Sequence, residues 1–456
     1  MKKSFLLYFL FLSLPFFCQI KLSHVPFAFK KNVAFHQLTT TVNPNNNEIY
    51  SFALDKENLF IATFSSSLFF KDSITIKKPL TLRYILGVSY PDNNSPFAYY
   101  ATSDLSKVYA VAYNFNSRTT LIKEVALNLK NEVIYTEFAA NGHFYFVTKG
   151  ENDDSLQLIQ LSGNQIQRHQ LDFKPFSFAI NTLSNPRIVT IFDEYGLTKM
   201  QEKGFNSFDD GSQKVKYYIE NNKLRITLNH LPAHTLLYEI DLNTASIVQK
   251  IFKNGSLPNV KQSNSLFFEN KLITIACNSE ALEIQFIKYD DQSILTRYRI
   301  DATQSSPFST PFYSVTGSNM PTNIKTTKKF ISAIFNSDLS MSLYHFNGKY
   351  IASFGGLQHY VSSNELFFVQ GAFPNLNSTT HSTQNILVDV ALDSNFKEVT
   401  PIQEPLFIDK IARYSLENKN TKHEYYFPYK KFYILSYYDT STKEIVLRKF
   451  TNGFDY

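Results

Sequence analysis

A short unit that recurs along the whole chain is the feature that most constrains its fold. Each unit has a polar residue, usually Asn, Lys or Glu, followed by five to seven mainly β-branched and aromatic residues. Such units are found at residues 58–64, 107–113, 143–148, 187–192, 223–228, 271–276, 329–335, 365–369 and 431–437. Nine similar units spread over the chain predict an internal repeat built from β-strands.

Most of these runs are followed by a polar turn and further strand-like segments. Second strands are predicted at residues 121–127, 156–161, 236–242, 282–289, 343–346 and 445–450, and third strands at 247–252 and 294–300. Each unit is therefore predicted to be a meander of antiparallel strands.

Several of the runs are apolar on both faces. In the second run, Val108 and Ala110 point to one face while Tyr109 and Val111 point to the other. A strand that is apolar on both faces is expected inside a stack of sheets. Repeated four-stranded antiparallel sheets packed around an axis form a β-propeller, which is the fold predicted here.

Residues 20–456 are predicted to form one all-β propeller domain. They allow about 62 residues for each of seven blades, which we favour, and six or eight blades stay open. Two β-sandwiches are the alternative, although sandwich strands should alternate more cleanly. No stretch sustains a helical apolar pattern. The polar stretches at 305–323 and 375–384 are predicted to be long rim loops, where a binding surface would lie.

The N-terminus is typical of a secretory signal peptide covering residues 1–19. Lys2 and Lys3 precede an apolar stretch at 5–17, which is shorter than the roughly 20 residues of a membrane-spanning helix. The mature chain is therefore expected to be exported and to have no transmembrane helix. Cys18 lies where a lipidated cysteine would lie, but Phe residues precede it, so ordinary cleavage is favoured.

The amino-acid composition favours strands, resembles that of a group of envelope proteins, and argues against nucleic acid as a partner. The 43 Phe and 28 Tyr favour half-buried strands. The Phe, Lys and Asn bias resembles envelope proteins of Bacteroidota. The formal charge of +6 includes Lys2 and Lys3, and the remaining lysines are scattered along the sequence. The sequence therefore lacks the basic stripe that is typical of nucleic-acid-binding proteins.

Signatures of known chemistry are missing from the sequence. No two glycines are separated by a single residue, which excludes GxGxxG, and GxSxG is also absent. The chain has no Trp, so it lacks the Trp-ended Asp-box repeats of sialidase-like propellers. We predict no catalytic residue, cofactor or metal site.

Three kinds of reactive side chain receive structural interpretations. His230 and His234 flank Pro232, which predicts a turn instead of a metal-binding helix. Cys277 lies in an apolar run and is predicted to be a buried, inert thiol. Three acidic pairs are predicted to occupy turns after strands: Asp153/Asp154, Asp209/Asp210 and Asp290/Asp291.

The expected function is that of a noncatalytic, exported interaction subunit of a cell-envelope protein complex, in the periplasm, at the outer membrane or secreted. Docking on or plugging a type IX-like outer-membrane secretion channel is its most specific form. It is based on export and composition, not on a motif.

The alternative is a glycan- or anion-binding or hydrolysing propeller with its site in the central funnel. It expects polar residues at the starts of the runs to ring the axis, although ordinary turn chemistry explains them more simply. These residues are Asn58, Lys107, His143, Arg187, Lys223, Lys271, Lys329, Glu365 and Lys431. A third possibility is a carbohydrate-binding surface protein that uses exposed Tyr and Phe for stacking.

Overall fold

A computed structural model describes residues 21–30, 33–91, 95–150, 155–179, 185–317, 320–363, 379–401 and 403–454. The predicted signal peptide, the run at 365–369 and the Asp153/Asp154 pair lie outside the described residues. Within them, the strands form seven sheets.

The first strand, β1 (Lys21–Pro26), belongs to the last sheet, and the next three sheets follow chain order. Blade 1 contains β2 (Gln37–Val42), β3 (Ile49–Leu54), β4 (Asn58–Phe64) and β5 (Phe70–Lys77). Blade 2 contains β6 (Leu82–Ser89), β7 (Phe97–Thr102), β8 (Val108–Asn114) and β9 (Thr119–Val125). Blade 3 contains β10 (Glu132–Ala140), β11 (His143–Gly150), β12 (Leu156–Ser162) and β13 (Gln165–Leu171).

Blades 4 and 5 keep this meander, with one addition. Blade 4 contains β14 (Thr198–Met200), β15 (Val215–Glu220), β16 (Lys223–Leu231), β17 (His234–Asp241) and β18 (Ile247–Lys253). Blade 5 contains β19 (Gln262–Phe268), β20 (Lys271–Cys277), β21 (Ala281–Lys288) and β22 (Ile294–Asp301). The short β14 pairs in parallel with β15, on the inner edge of blade 4.

Blades 6 and 7 complete the set. Blade 6 contains β23 (Phe312–Thr316), β24 (Thr322–Ile324), β25 (Asp338–Phe346), β26 (Lys349–Ser363), β27 (Thr379–Leu392) and β28 (Glu398–Val399). Blade 7 contains β29 (Thr421–Tyr429), β30 (Phe432–Asp439), β31 (Glu444–Phe450) and, as its outermost strand, β1. Pairing of β1 with β31 joins the two ends of the described chain in one sheet.

Each sheet contacts the next one, and blade 7 contacts blade 1. Hydrogen bonds that involve a side chain cross every boundary: Gln37 to Arg83, Tyr99 to Gly163, Thr136 to Tyr217, Phe267 to Tyr218, Asn264 to Leu339, Asn452 to Tyr344 and Ser436 to Thr40. The ring of seven sheets is a seven-bladed β-propeller, which confirms the predicted fold class.

The central strands form the core because both of their faces are covered by neighbouring blades. Every residue of β3 is buried, as is every residue of β4 after Asn58. Aliphatic and aromatic side chains dominate these strands, so the covered faces remove much apolar surface from water. Burial on both faces confirms the prediction made from the doubly apolar runs.

Two of the nine predicted strand runs are helices. The run at 187–192 lies in α1 (Ile188–Tyr195), and the run at 329–335 lies largely in α3 (Thr327–Ile334). Two further helices are α2 (Phe208–Ser212) and α4 (Phe407–Glu417), and Val33–Phe35 forms a 3-10 turn. The prediction of strands here was wrong because an apolar run of about eight residues suits either a short helix or a strand.

Two predicted rim loops also contain strands. The stretch 305–323 includes β23 and part of β24, and the described part of 375–384 belongs to β27. These polar segments form strands because they pair with the rest of blade 6. Their polar sequence does not predict this pairing.

Candidate binding rim and channel

The connections between strands differ strongly between the two ends of the propeller. On one end, which we call the short-turn rim, strands are joined by connections such as Asn141-Gly142, Asn221-Asn222 and Asn347-Gly348. All six of these residues have positive φ, as two-residue hairpins with matching twist require. Such turns leave little chain with which to build an extended surface for docking another protein.

The opposite end, which we call the long-connection rim, carries the segments that lead from one blade to the next. Residues 172–214 join blades 3 and 4 and contain α1 and α2, and residues 302–337 join blade 5 to β25 and contain α3. Loops of this length can present specific side chains on a rigid scaffold. The long-connection rim is therefore the candidate binding surface.

A two-stranded ribbon extends this rim at blade 6. Strand β25 pairs with β26 only as far as Asp338 opposite Leu357, whereas β26 and β27 stay paired up to Ser363 opposite Thr379. Six residue pairs thus lie beyond the end of β25. At about 3.3 Å per residue, the ribbon continues for about 20 Å past the innermost strand of its blade.

Exposed apolar side chains lie on the same rim. Leu80 is 93% exposed, Met320 88%, Val33 75% and Leu416 68%. Val33, Leu80 and Leu416 lie between blades 7 and 1, 1 and 2, and 6 and 7, while Met320 lies in the segment that edges blade 6. All four therefore lie on the arc that runs from blade 6 to blade 2.

The central channel is partly filled by the chain itself. Residues 198–212, which we call the channel insert, comprise β14, a turn and α2. The turn is closed by Asn206, whose side-chain oxygen accepts from the Gln201 amide at 2.7 Å and whose nitrogen donates to the Gln201 carbonyl at 2.8 Å. Because β14 pairs on the inner edge of β15, the insert lies towards the axis.

Polar side chains of blades 5 and 6 hold the insert. The Asn264 amide donates to the carbonyls of Gly211 at 3.1 Å and Ser212 at 2.8 Å. Ser342 donates to the Asn206 carbonyl at 2.6 Å, and Ser340 donates to the Phe208 carbonyl. Asn264 is fully buried. Since unpaired buried amides are costly, these bonds fix the insert against the wall of the channel.

A buried ion cluster holds the other end of the insert. The Arg225 guanidinium donates to Glu202 of the insert at 2.6 Å and to Glu239 of blade 4 at 2.9 Å. Burial, together with the neighbouring Glu220 carboxylate, raises the pKa of Glu202 to about 7. The cluster connects the insert to blade 4 through a group that titrates near neutral pH.

A cleft of about 460 Å³ opens on the long-connection rim beside α1. Phe173, Phe176 and Phe178 line it, with Lys174 and Asp172 among its polar residues. Phe173 and Phe178 are buried and pack on Tyr238, with ring centroids 5.3 and 5.6 Å away. The cleft is a preformed aromatic recess next to the rim loops.

Of the nine residues expected around the axis, none of the eight that the structure describes begins an innermost strand. Asn58 and Lys107 lie at the starts of third strands, whereas His143, Lys223, Lys271 and Lys431 lie at the starts of second strands. Arg187 caps α1, Lys329 lies within α3, and Glu365 lies outside the described residues. The six that precede strands are divided between the two rims, so the structure does not bring them together as a ring.

The predicted turn between the two histidines and the predicted burial of the cysteine are confirmed. His230 and His234 lie at the two ends of the β16–β17 turn, and His230 Nε2 lies 2.7 Å from the Phe178 carbonyl oxygen. Cys277 is fully buried, and burial raises the pKa of its thiol to about 11. A thiol with that pKa is protonated and unreactive at neutral pH.

Of the two acidic pairs that the structure describes, one lies where it was predicted and the other does not. Asp290 and Asp291 occupy the turn after β21, as predicted. Asp209 and Asp210 were wrongly placed in a turn after a strand, since they form the first turn of α2. Ser207 caps that helix and accepts from the Asp210 amide at 3.0 Å. The Ser207-x-x-Asp210 spacing is a helix-start signal that sequence reasoning could have used to find the insert.

No three His, Cys, Asp or Glu side chains among the described residues are grouped so that they could hold a metal ion. No helix in the same residues has the length and apolarity needed to cross a membrane.

Comparison with known proteins finds likeness of fold only. No protein-family model and no curated protein matches the chain. Solved structures that match include the β-propeller domain of Nup133 from Vanderwaltozyma polyspora, at 9% identity and TM-score 0.32, covering 94% of this chain and 97% of that one. The subtype N10 neuraminidase-like protein of A/little yellow-shouldered bat/Guatemala/060/2010 matches at 9% identity and TM-score 0.26, covering 84% of this chain and 99% of that one.

A prolyl endopeptidase also matches, at 8% identity and TM-score 0.33. The match covers 91% of this chain but only 48% of that enzyme, so the chain spans about half of the enzyme's length.

Proposed function

We propose that the protein is a noncatalytic, exported interaction subunit of a cell-envelope protein complex, and that its long-connection rim faces the partner. The observation that carries the proposal is the arc from blade 6 to blade 2, where the ribbon and four widely exposed apolar side chains lie on the same rim. These side chains give a protein partner apolar surface to cover at several points of one rim.

A rigid ring that carries long connections on one rim is suited to binding a protein partner through that rim. The insert occupies part of the channel, and the other rim consists of short turns, so the long-connection rim has the most surface that can be shaped for a partner. The most specific partner we propose is an outer-membrane secretion channel of the type IX kind. This choice is based on the signal-peptide pattern and on composition.

Affinity purification of the tagged mature protein from solubilised envelopes of its own organism tests the proposal. Mass spectrometry should find one dominant large membrane partner that survives salt washing. Recovery of the protein alone would contradict the proposal. Sequencing of the purified N-terminus should place the cleavage near Gln19, which tests export separately.

Variants of the two rims locate the docking surface. Leu80→Ser combined with Leu416→Ser should abolish co-purification, because both side chains are exposed and their loss costs the fold little. Phe69→Ser is the matched control, since Phe69 is 72% exposed but lies in a turn of the short-turn rim. Equal loss of partner in both variants would contradict docking through the long-connection rim.

A further inference from the structure

The short-turn rim carries a groove that the proposed docking does not use. It lies between blades 5 and 6 and has a volume of about 660 Å³. The turn before β20, the end of β21, the start of β22 and the turn after β27 contribute its lining. Three lysines, Lys271, Lys288 and Lys397, line it, against a single lining carboxylate, that of Glu269.

The oxygens of Glu269 already have donors. Its Oε1 lies 2.9 Å from His345 Nδ1, and its Oε2 accepts from the Tyr350 hydroxyl at 2.8 Å. Lys271 Nζ is 4.0 Å from Oε2 and donates instead to the Glu269 backbone carbonyl at 3.0 Å. Lys271 and Glu269 therefore form a loose ion pair, and this one carboxylate stands against three lysines in the lining.

Acidic side chains around the groove are also engaged by neighbouring donors. Asp290 accepts from the Asn270 side chain at 3.1 Å, and Asp393 accepts from the backbone amides of Asn395 and Lys397 at 2.8 and 2.9 Å. Asp291 accepts from the Ser293 amide at 3.0 Å and lies 3.5 Å from Lys288. That last pair is exposed on both sides, so it holds Lys288 only weakly.

The ammonium group of Lys397 has no hydrogen-bond or ion-pair partner among the described residues. Lys271 is 77% buried as a side chain and lies 5.7 Å from the Phe396 ring centroid, which keeps its charge at the wall of the groove. Lysines on three separate strands or turns thus line one cavity. Charge-assisted hydrogen bonds to an oxyanion would satisfy them.

We propose that this groove binds a phosphate or sulfate group carried on a polar molecule such as a sugar. A water molecule occupies about 30 Å³ in the liquid, so the groove has room for about 20 waters and for far more than one oxyanion. Asn270, Thr296 and Asn395 line the remainder and can exchange hydrogen bonds with hydroxyl groups. The proposal is independent of partner docking, which involves the opposite rim.

Isothermal titration calorimetry with glucose 6-phosphate, at low and constant ionic strength, tests it. The wild-type protein should bind the sugar phosphate with one site and should give no heat with glucose. Lys271→Gln/Lys288→Gln/Lys397→Gln should weaken binding at least ten-fold, and Lys397→Gln alone about three-fold. Lys397 is exposed, so that single variant should fold even if the triple variant does not.

Lys56→Gln is the matched control, because Lys56 is exposed on the long-connection rim. It should bind the sugar phosphate like the wild type. Equal weakening by Lys56→Gln and Lys397→Gln would reduce the effect to overall charge and overturn the proposal. Unchanged binding by the folded triple variant would overturn it as well.

A second arm separates a soluble ligand from a lipid headgroup. Vesicles of phosphatidylglycerol and phosphatidylcholine are sedimented with the wild type and with Lys397→Gln. Sedimentation that needs Lys397, without binding of glucose 6-phosphate, would support a phosphate carried by lipid. Absence of both kinds of binding in the wild type would overturn the proposal.

Discussion

Gly211 sets how closely the channel insert approaches blade 6. A Cβ at this position would lie 2.1 Å from the Met341 carbonyl oxygen, which is backbone and cannot move aside like a side chain. A larger residue here would therefore force the insert or blade 6 to shift. The close approach allows the carbonyls of α2 to reach Asn264.

Gly211→Ala should destabilise the fold by about 1–3 kcal/mol, because the added methyl overpacks a buried contact. Urea unfolding followed by circular dichroism measures this cost. Gly204→Ala is the control within the same insert, since its Cβ would meet only the Gln201 side chain, at 3.0 Å. If the two variants lose the same stability, the contact with Met341 does not limit the seating of the insert.

Glu202 makes stability depend on pH. Its folded pKa of about 7 is above its ordinary value of 4.5, so the folded state holds a proton that the unfolded state releases. The resulting stabilisation is complete below about pH 4.5 and is lost as the pH rises through about 7. Its cause is burial of the carboxyl group beside the Glu220 carboxylate.

Glu202→Gln should remove this dependence, since the amide resembles the protonated acid in shape and cannot ionise. Thermal unfolding of both proteins at pH 5 and pH 8 is the measurement. The Tm of the variant relative to wild type should be higher at pH 8 than at pH 5. A difference that does not change with pH would show that Glu202 does not titrate in this range.

At the scale of elements, patterns of burial were readable from the sequence but strand order was not. The strongest apolar run is the third strand in blades 1 and 2 and the second strand in blades 3, 4, 5 and 7. Both central strands of a blade are covered on two faces, as in β3 and β4, so either can carry the strongest run. The position of polar residues relative to the axis could therefore not be predicted.

The short helices also could not be predicted from the sequence. In α1, Ile188, Ile191 and Phe192 are buried and lie three and four residues apart, which is helical spacing. The segment has only eight residues, and the five before Asp193 are all apolar or β-branched. Its composition therefore favours a strand. Long-range packing between blades 3 and 4 decides the outcome.

Capping should be measurable in α3, whose sequence favoured a strand. The Thr326 hydroxyl accepts from the Lys329 amide at 3.3 Å at the start of this helix. Thr326→Ala should cost about 1 kcal/mol in urea unfolding, because an N-terminal amide loses its acceptor. Lys328→Ala, at an exposed position of the same helix, should change stability by less than about 0.5 kcal/mol. Equal effects would argue against the cap.

At the scale of the molecule, the sequence predicted the ring but not which of its ends carries the binding surface. Repeated doubly apolar runs require stacked sheets, and their number limits the blades to a few choices. The rim assignment needs strand pairing, because the same loop faces opposite ends according to which two strands it joins. The ribbon at Gln358–Ser363 is likewise a matter of unequal strand lengths within one blade.

Closure of the ring depends on β1. Val25 is 2% exposed and packs in the core between blades 7 and 1. Val25→Asp should detach β1 and expose the edge of β31, since an unpaired buried carboxylate is very costly. Limited proteolysis should then cut within residues 21–30 far faster than in the wild type.

Lys21→Ala provides the control for closure, because Lys21 lies on the same strand as Val25 and its side chain makes only an ion pair with Glu444 of β31. Its proteolysis should resemble that of the wild type. Unchanged proteolysis of Val25→Asp would mean that the ring stays closed without β1.

The pairing of β1 with β31 also means that the first strand of the described chain must wait for the last one to be synthesised. About 400 residues must be synthesised between these strands, which takes on the order of 20–80 s at typical ribosomal rates. Throughout that time the first strand has no partner, and blade 7 does not yet exist. A chaperone that protects the nascent chain would have to hold this earliest segment longest, and release it only when the last strand arrives.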